Sequence, residues 1–213
     1  MKTRRFVEIV QVLALISVSV FAHGAGAAGA EKTIVCFGDS ITAGHGLESV
    51  SKSYPADLEK LLMARGYNYR VVNKGVSGDT TKDAVARVNS VVALHPEVVL
   101  VEFGGNDGLR GLSMEITRRN LDSVLTTLQA AHIKILLVGI TLPPNYGKEY
   151  IDSFDKVYRD AAQKHHLPLM PMLYDGIYTV PGTIQADGIH PTAKGSQLIA
   201  ERMVPLVTPL LRK

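Results

Sequence analysis

From residue 33 onward, short apolar runs alternate with longer segments whose apolar residues recur at helical spacing, and this alternation restricts the chain to a parallel sheet built from βαβ units. The runs are Thr33 to Phe37, Tyr69 to Asn73, Val98 to Phe103, Ile135 to Ile140 and the weaker Leu167 to Met170. Rich in Val, Ile and Leu, they read as strands covered on both faces. Between them Leu58, Leu61 and Leu62 mark one helix face, Val85, Val88, Val91 and Val92 a second, and Leu121, Val124, Leu125 and Leu128 a third. A fourth helix is expected from about Asp152 to His166. A last one starts near Thr192, turns Leu198, Ile199 and Met203 inward, and is ended or kinked by Pro205. The expected fold is α/β: a three-layer α/β/α sandwich around a central five-stranded parallel sheet.

The chain of 213 residues is long enough for one such domain. Residues 1–30 are of another kind. Lys2, Arg4 and Arg5 precede an apolar run from Val12 to Ala22, and small residues follow as far as Ala30. That order is a secretory signal peptide, and the run of about 11 residues falls short of the roughly 20 a spanning helix needs. Cleavage after Ala27 or Ala30 fits the small-residue rule, with Ala30 leaving Glu31 first. The expected division is therefore a leader at 1–30 and one domain at 31–213, in the periplasm or secreted, with no stable membrane anchor after cleavage. The leader carries three basic residues and Glu8, so its loss lowers the formal charge from +3 to +1. The remaining Lys and Arg are interspersed with acids, which gives no argument for nucleic acid. Cys36, the sole cysteine, lies in an apolar run and reads as a buried thiol; it excludes an internal disulfide.

In an open parallel sheet, ligands bind beyond the carboxyl ends of the strands. The first three expected strands are followed there by Gly38-Asp39-Ser40-Ile41-Thr42, by Gly75-Val76-Ser77-Gly78-Asp79 and by Gly104-Gly105-Asn106-Asp107-Gly108. Ser40 beginning a helical turn would point its hydroxyl and N–H into the crevice, a good seat for an acyl-transfer nucleophile; a helix cap is its other reading. A serine hydroxyl needs a base. Of the histidines, His23 leaves with the leader, and His95, His132, His165 and His166 fall at helix ends. His45 has nothing nearby to orient it. His190 differs, because Asp187-Gly188-Ile189-His190 sets a carboxylate three residues ahead of it in a tight turn. Taken alone, that is also what an ordinary surface turn looks like. Ser40 N–H, Gly78 N–H and the Asn106 amide could supply an oxyanion hole.

These four blocks in this order resemble the SGNH (GDSL-type) hydrolase family over nearly all of residues 33–210. They look most like its bacterial periplasmic branch of acyl-CoA thioesterases, lysophospholipases and arylesterases, through Gly75 to Thr80, Gly104 to Gly111 and Leu142 to Gly147. The resemblance implies a flavodoxin-like sheet, Ser40 as nucleophile, His190 as base with Asp187 its partner, and Ser40, Gly78 and Asn106 as oxyanion donors. It also implies a substrate loop at Leu142 to Lys148, with Leu109, Pro143, Asn145 and Tyr146 as candidate contacts. Ile41 stands where the family's name has Leu, a conservative change.

The expected activity is hydrolysis of carboxylic esters or thioesters on a small molecule bearing an acyl chain, without cofactor or metal. A carbohydrate deacetylase, an acyltransferase and a silent binding module are the alternatives. Gly24 to Gly29 matches the dinucleotide fingerprint G-x-G-x-x-G but follows no strand. The G-x-S-x-G elbow of α/β-hydrolases is absent.

Overall fold

Five strands form one parallel sheet in the order β2-β1-β3-β4-β5: β1 (Lys32–Gly38), β2 (Tyr69–Gly75), β3 (Val98–Glu102), β4 (Lys134–Val138) and β5 (Leu169–Met170). This computed structural model describes residues 32–213; the expected leader and its cleavage site lie outside the described residues. Because β1 pairs with β2 on one side and β3 on the other, right-handed crossovers place the connecting helices on opposite faces. On one face α2 (Tyr54–Ala64) packs with α7 (Ala193–Val207). On the other α3 (Thr81–Val92) packs with α5 (Met114–Ala130), which packs in turn with α6 (Lys148–His165). The expected three-layer sandwich is the observed one.

Ile34 to Phe37, Val98 to Leu100 and Leu136 to Val138 have no exposed surface, so the middle strands are sealed from both sides, as their unbroken apolar runs require. Cys36 is buried among them as a free thiol, and burial pushes its ionisation far up. Gly38 pairs with Gly75 and with Glu102, so β1, β2 and β3 end level and their following loops share one edge. Two short helices not separately resolved by periodicity start at that edge: α1 (Ser40–Ala43) and α4 (Gly105–Leu109).

Strands β1 to β4 shift by one or two residues at their ends, and three further departures from expectation have local reasons. Leu167 lies just past α6, where its N–H reaches back to the Ala162 carbonyl and His166 turns into the left-handed region, so β5 starts later. Helix α6 begins earlier, at Lys148, directly after Gly147 closes a 3₁₀ turn over Pro144–Tyr146. Pro205 does not end α7, which runs on to Val207; it sits on an exposed side in the last turns, where little of the helix remains to be broken.

Candidate active site

The aligned strand ends deliver three loops to one edge, and the segment between β5 and α7 closes over them. Ser40 opens α1, capped by Asp39, whose Oδ1 accepts the Ile41 N–H at 3.0 Å. As the first residue of the helix, Ser40 has a backbone N–H with no intrahelical acceptor.

Across the edge, an antiparallel bridge between Ile184 and Pro191 frames the turn from Gln185 to His190, with Gln185 N–H on the His190 carbonyl at 2.8 Å. Within it, Asp187 Oδ1 accepts the N–H groups of Ile189 and His190 at 2.9 and 3.0 Å. Asp187 Oδ2 lies 2.7 Å from His190 Nδ1, and His190 Nε2 lies 2.8 Å from Ser40 Oγ. A carboxylate at Nδ1 calls for a hydrogen there, which leaves Nε2 as the acceptor for the serine hydroxyl. Partial burial would raise the Asp187 carboxyl, but the Ile189 N–H and the His190 ring and N–H outweigh it and hold the group down to about 2. Asp187 is thus ionised at neutral pH.

Gly78 stands at φ +88°, a conformation a side chain would strain, and the Arg110 guanidinium fixes its carbonyl at 2.9 Å. Asn106, in α4, gives its amide to Asp39 Oδ2 at 3.1 Å and to the Asp79 carbonyl at 2.9 Å. Both partners are acceptors, so both hydrogens of Nδ2 are engaged; serving an oxyanion requires one of them to be shared or exchanged. Arg87, on α3, binds the loops from behind. Its Nε reaches Asp79 at 2.6 Å, its Nη1 the Lys74 carbonyl and its Nη2 the Gly38 carbonyl, both at 2.8 Å, while its plane lies 4.5 Å from the Phe37 ring centre.

These residues open on a cavity of about 250 Å³. Ser40, Gly78, Asn106 and His190 line one side; Leu109, Ile140, Leu142, Pro143 and Ile189 make the other apolar. Of the loop candidates, Leu109 and Pro143 face the cavity. Asn145 is exposed outside its lining, and Tyr146 also lies outside it, acting on Leu109 by donating its hydroxyl to that residue's carbonyl at 2.9 Å. His45 lines the cavity with its ring centre 4.6 Å from that of His190. His95, His132 and His166 stand in left-handed conformations past helix ends, away from it. Sequence reasoning missed Arg87 and Glu102. Glu102 was visible as a lone acid at the end of an apolar strand, while nothing in the pattern of α3 singles out Arg87.

A profile of the GDSL-like Lipase/Acylhydrolase family matches residues 36–198. The chain is 42% identical over 183 residues to Esterase TesA of Pseudomonas aeruginosa, covering 85% of this chain and 90% of that protein. It is 37% identical over 185 residues to thioesterase 1/protease 1/lysophospholipase L1 of Escherichia coli strain K12, covering 86% and 87%. A crystal structure of TesA superposes with a TM-score of 0.81 at 42% identity, covering 84% of this chain and 100% of that one. With the profile spanning the strand edge, its three loops and the closing turn alike, the chain belongs to the GDSL-like lipase/acylhydrolase family of ester-bond hydrolases.

Proposed function

We propose that the protein is a serine esterase and thioesterase that takes acyl-bearing small molecules through an acyl-enzyme on Ser40. The observation that carries this is the continuous line Ser40 Oγ, His190 Nε2, His190 Nδ1, Asp187 Oδ2, at 2.8 and 2.7 Å. Ser40 Oγ attacks the carbonyl carbon while its proton passes to His190 Nε2, and the carbonyl oxygen takes the negative charge. The N–H groups of Ser40 and Gly78 receive that charge, with Asn106 as a third donor once the hydrogen now on the Asp79 carbonyl is shared with it. The tetrahedral intermediate collapses as His190 returns the proton to the departing alcohol or thiol. Water, deprotonated by the same nitrogen, then attacks the acyl-enzyme and releases the acid. Asp187 fixes the ring tautomer and stabilises the imidazolium through both transfers.

The apolar wall of Leu109, Ile140, Leu142 and Pro143 favours an acyl chain over a bare acetyl group. Each methylene buried there contributes about 0.8 kcal/mol, so kcat/KM should climb severalfold per carbon from acetate toward octanoate. A series of nitrophenyl esters, run beside acyl-CoA and lysophospholipid, reads this directly. Ser40→Ala should abolish turnover in a folded protein and should not be labelled by a serine-reactive phosphonate; retained turnover rejects the assignment. An acetate-only profile would point to a deacetylase, and transfer to an added alcohol in preference to water would point to an acyltransferase.

Residues 1–30 fit an export leader, and we place the mature enzyme, from about Glu31, in the periplasm or outside the cell. Among the described residues no helix is long and apolar enough to cross a membrane. Mass measurement of the protein recovered from a periplasmic extract tests both the site and the compartment.

A further inference from the structure

Beside Ser40 lies a pair of buried carboxyl groups that the steps above do not use. Asp39 is 2% exposed and Glu102 not at all. Glu102 Oε2 accepts the Thr42 hydroxyl at 2.9 Å and, more weakly, the Asp39 N–H at 3.4 Å; its Oε1 is buried with no donor facing it. The pair has been given room: a Cβ on Gly38 would stand 2.6 Å from Glu102 Oε2, and among the described residues no Lys or Arg bonds to either group. An ionised carboxylate with a bare oxygen in such a place is the costly state, whereas a protonated one takes no net charge out of water. Asp39 is the better furnished of the two, with Ile41 N–H on Oδ1 and the Asn106 amide on Oδ2.

Resting on the hydrolase reading above, we propose that Asp39 is a positioning residue for the reaction: its carboxylate holds the Asn106 amide and the first turn of α1 in register with the acyl site, and Glu102 beside it is kept as the neutral acid. The two oxygens of one side chain hold the Ile41 N–H, in the turn that presents Ser40 N–H, and the Asn106 amide, so the oxyanion donors of two different loops share an anchor. The groups facing Asp39 from other elements are Glu102 on β3, Asp79 after β2, His190 before α7, and the buried hydroxyls of Tyr54, Tyr158 and Tyr174. Burial raises Asp39 while the Ile41 N–H, Glu102 and the charge on His190 pull it back, leaving it at about 6. Burial and the charge of Asp39 both raise Glu102 well above the carboxylate range. The proton of the pair rests on Glu102, and Asp39 is ionised at neutral pH.

The deciding variant is Asp39→Asn. Its oxygen can still cap Ile41, but its NH2 then faces the NH2 of Asn106, two donors where a donor met an acceptor, and Asn106 must turn away. We expect kcat for a nitrophenyl ester to fall about 10- to 100-fold, with KM little changed and Ser40 still labelled by phosphonate. The acid limb of the kcat profile, which Asp39 helps to set, should become shallower. Glu102→Gln replaces a neutral acid by a neutral amide of the same shape and should keep kcat close to that of the unaltered enzyme. Asp39→Ser, which retains a capping oxygen but cannot reach Asn106, decides by the same criteria if the Asn variant does not fold. Unchanged kcat in the Asp39 variants, or a change in KM alone, overturns the positioning role while leaving the hydrolase standing if Ser40→Ala is dead. A loss in Glu102→Gln as deep as that in Asp39→Asn overturns the neutral-acid half.

Discussion

Asp187 reaches its histidine with one oxygen and the backbone of its own turn with the other, so a single side chain both shapes the turn and orients the ring. Asp187→Asn keeps the shape but puts an amide where a carboxylate met Nδ1–H, favouring the wrong tautomer. We expect kcat to drop by between about 100- and 10,000-fold with little effect on KM, measured with a short-chain nitrophenyl ester. Asp187 and His190 stood out in the sequence as a pair three residues apart, but only the order of all four blocks lifted them above an ordinary surface turn. Ser40 was legible because it follows a strand. Glu102 was not, because a strand read by its apolar content hides one acid among valines, and only the neighbouring strand reveals that Gly38 leaves it space.

Among the elements, α3 has a function its apolar stripe does not disclose. Arg87 projects from it to bind the Gly38 carbonyl, the Lys74 carbonyl and the Asp79 carboxylate, clamping the ends of β1 and β2 and the loop that carries Gly78. The planar fork, its centre 4.5 Å from the Phe37 ring centre and 5.4 Å from that of Phe103, meets all three at once, which an ammonium cannot do. Arg87→Lys should therefore cost about 1 to 3 kcal/mol in urea denaturation, from charge-assisted bonds that a single ammonium cannot all replace, and should lower kcat/KM; an unchanged midpoint would show that the clamp is dispensable. The layers and the number of strands were within reach of periodicity, since both follow from alternating apolar runs; the strand order was not, because nothing in apolar spacing says on which side of β1 each later strand is added. The starts of β5 and α6 were not, because a left-handed His166 and a glycine after a 3₁₀ turn leave no mark in apolar spacing.

At the scale of the whole molecule, the buried carboxyl pair sets how stability responds to pH. Glu102 is raised from its ordinary 4.5, so the folded chain retains a proton that the unfolded chain releases. Its contribution is full below about 4.5 and is lost as pH rises, at about 1.4 kcal/mol per pH unit for each retained proton. Asp39 adds the same sign between 3.8 and about 6. Asp187, lowered from 3.8 to about 2, acts in the other direction: its contribution is present above 3.8 and is lost as pH falls toward 2. Thermal melts should thus show Tm falling from pH 5 to pH 8, and falling less steeply in Glu102→Gln; parallel slopes would reject a proton held at Glu102. On the proposed mechanism the nucleophile and its base stand 150 positions apart along the chain, with Ser40 at the start of the sheet and His190 in the segment before the last helix. A ribosome therefore completes every strand before it makes the residue that activates the serine. On the proposed mechanism the emerging chain thus carries a serine without its base until the closing turn docks, and hydrolytic power would belong only to the finished fold.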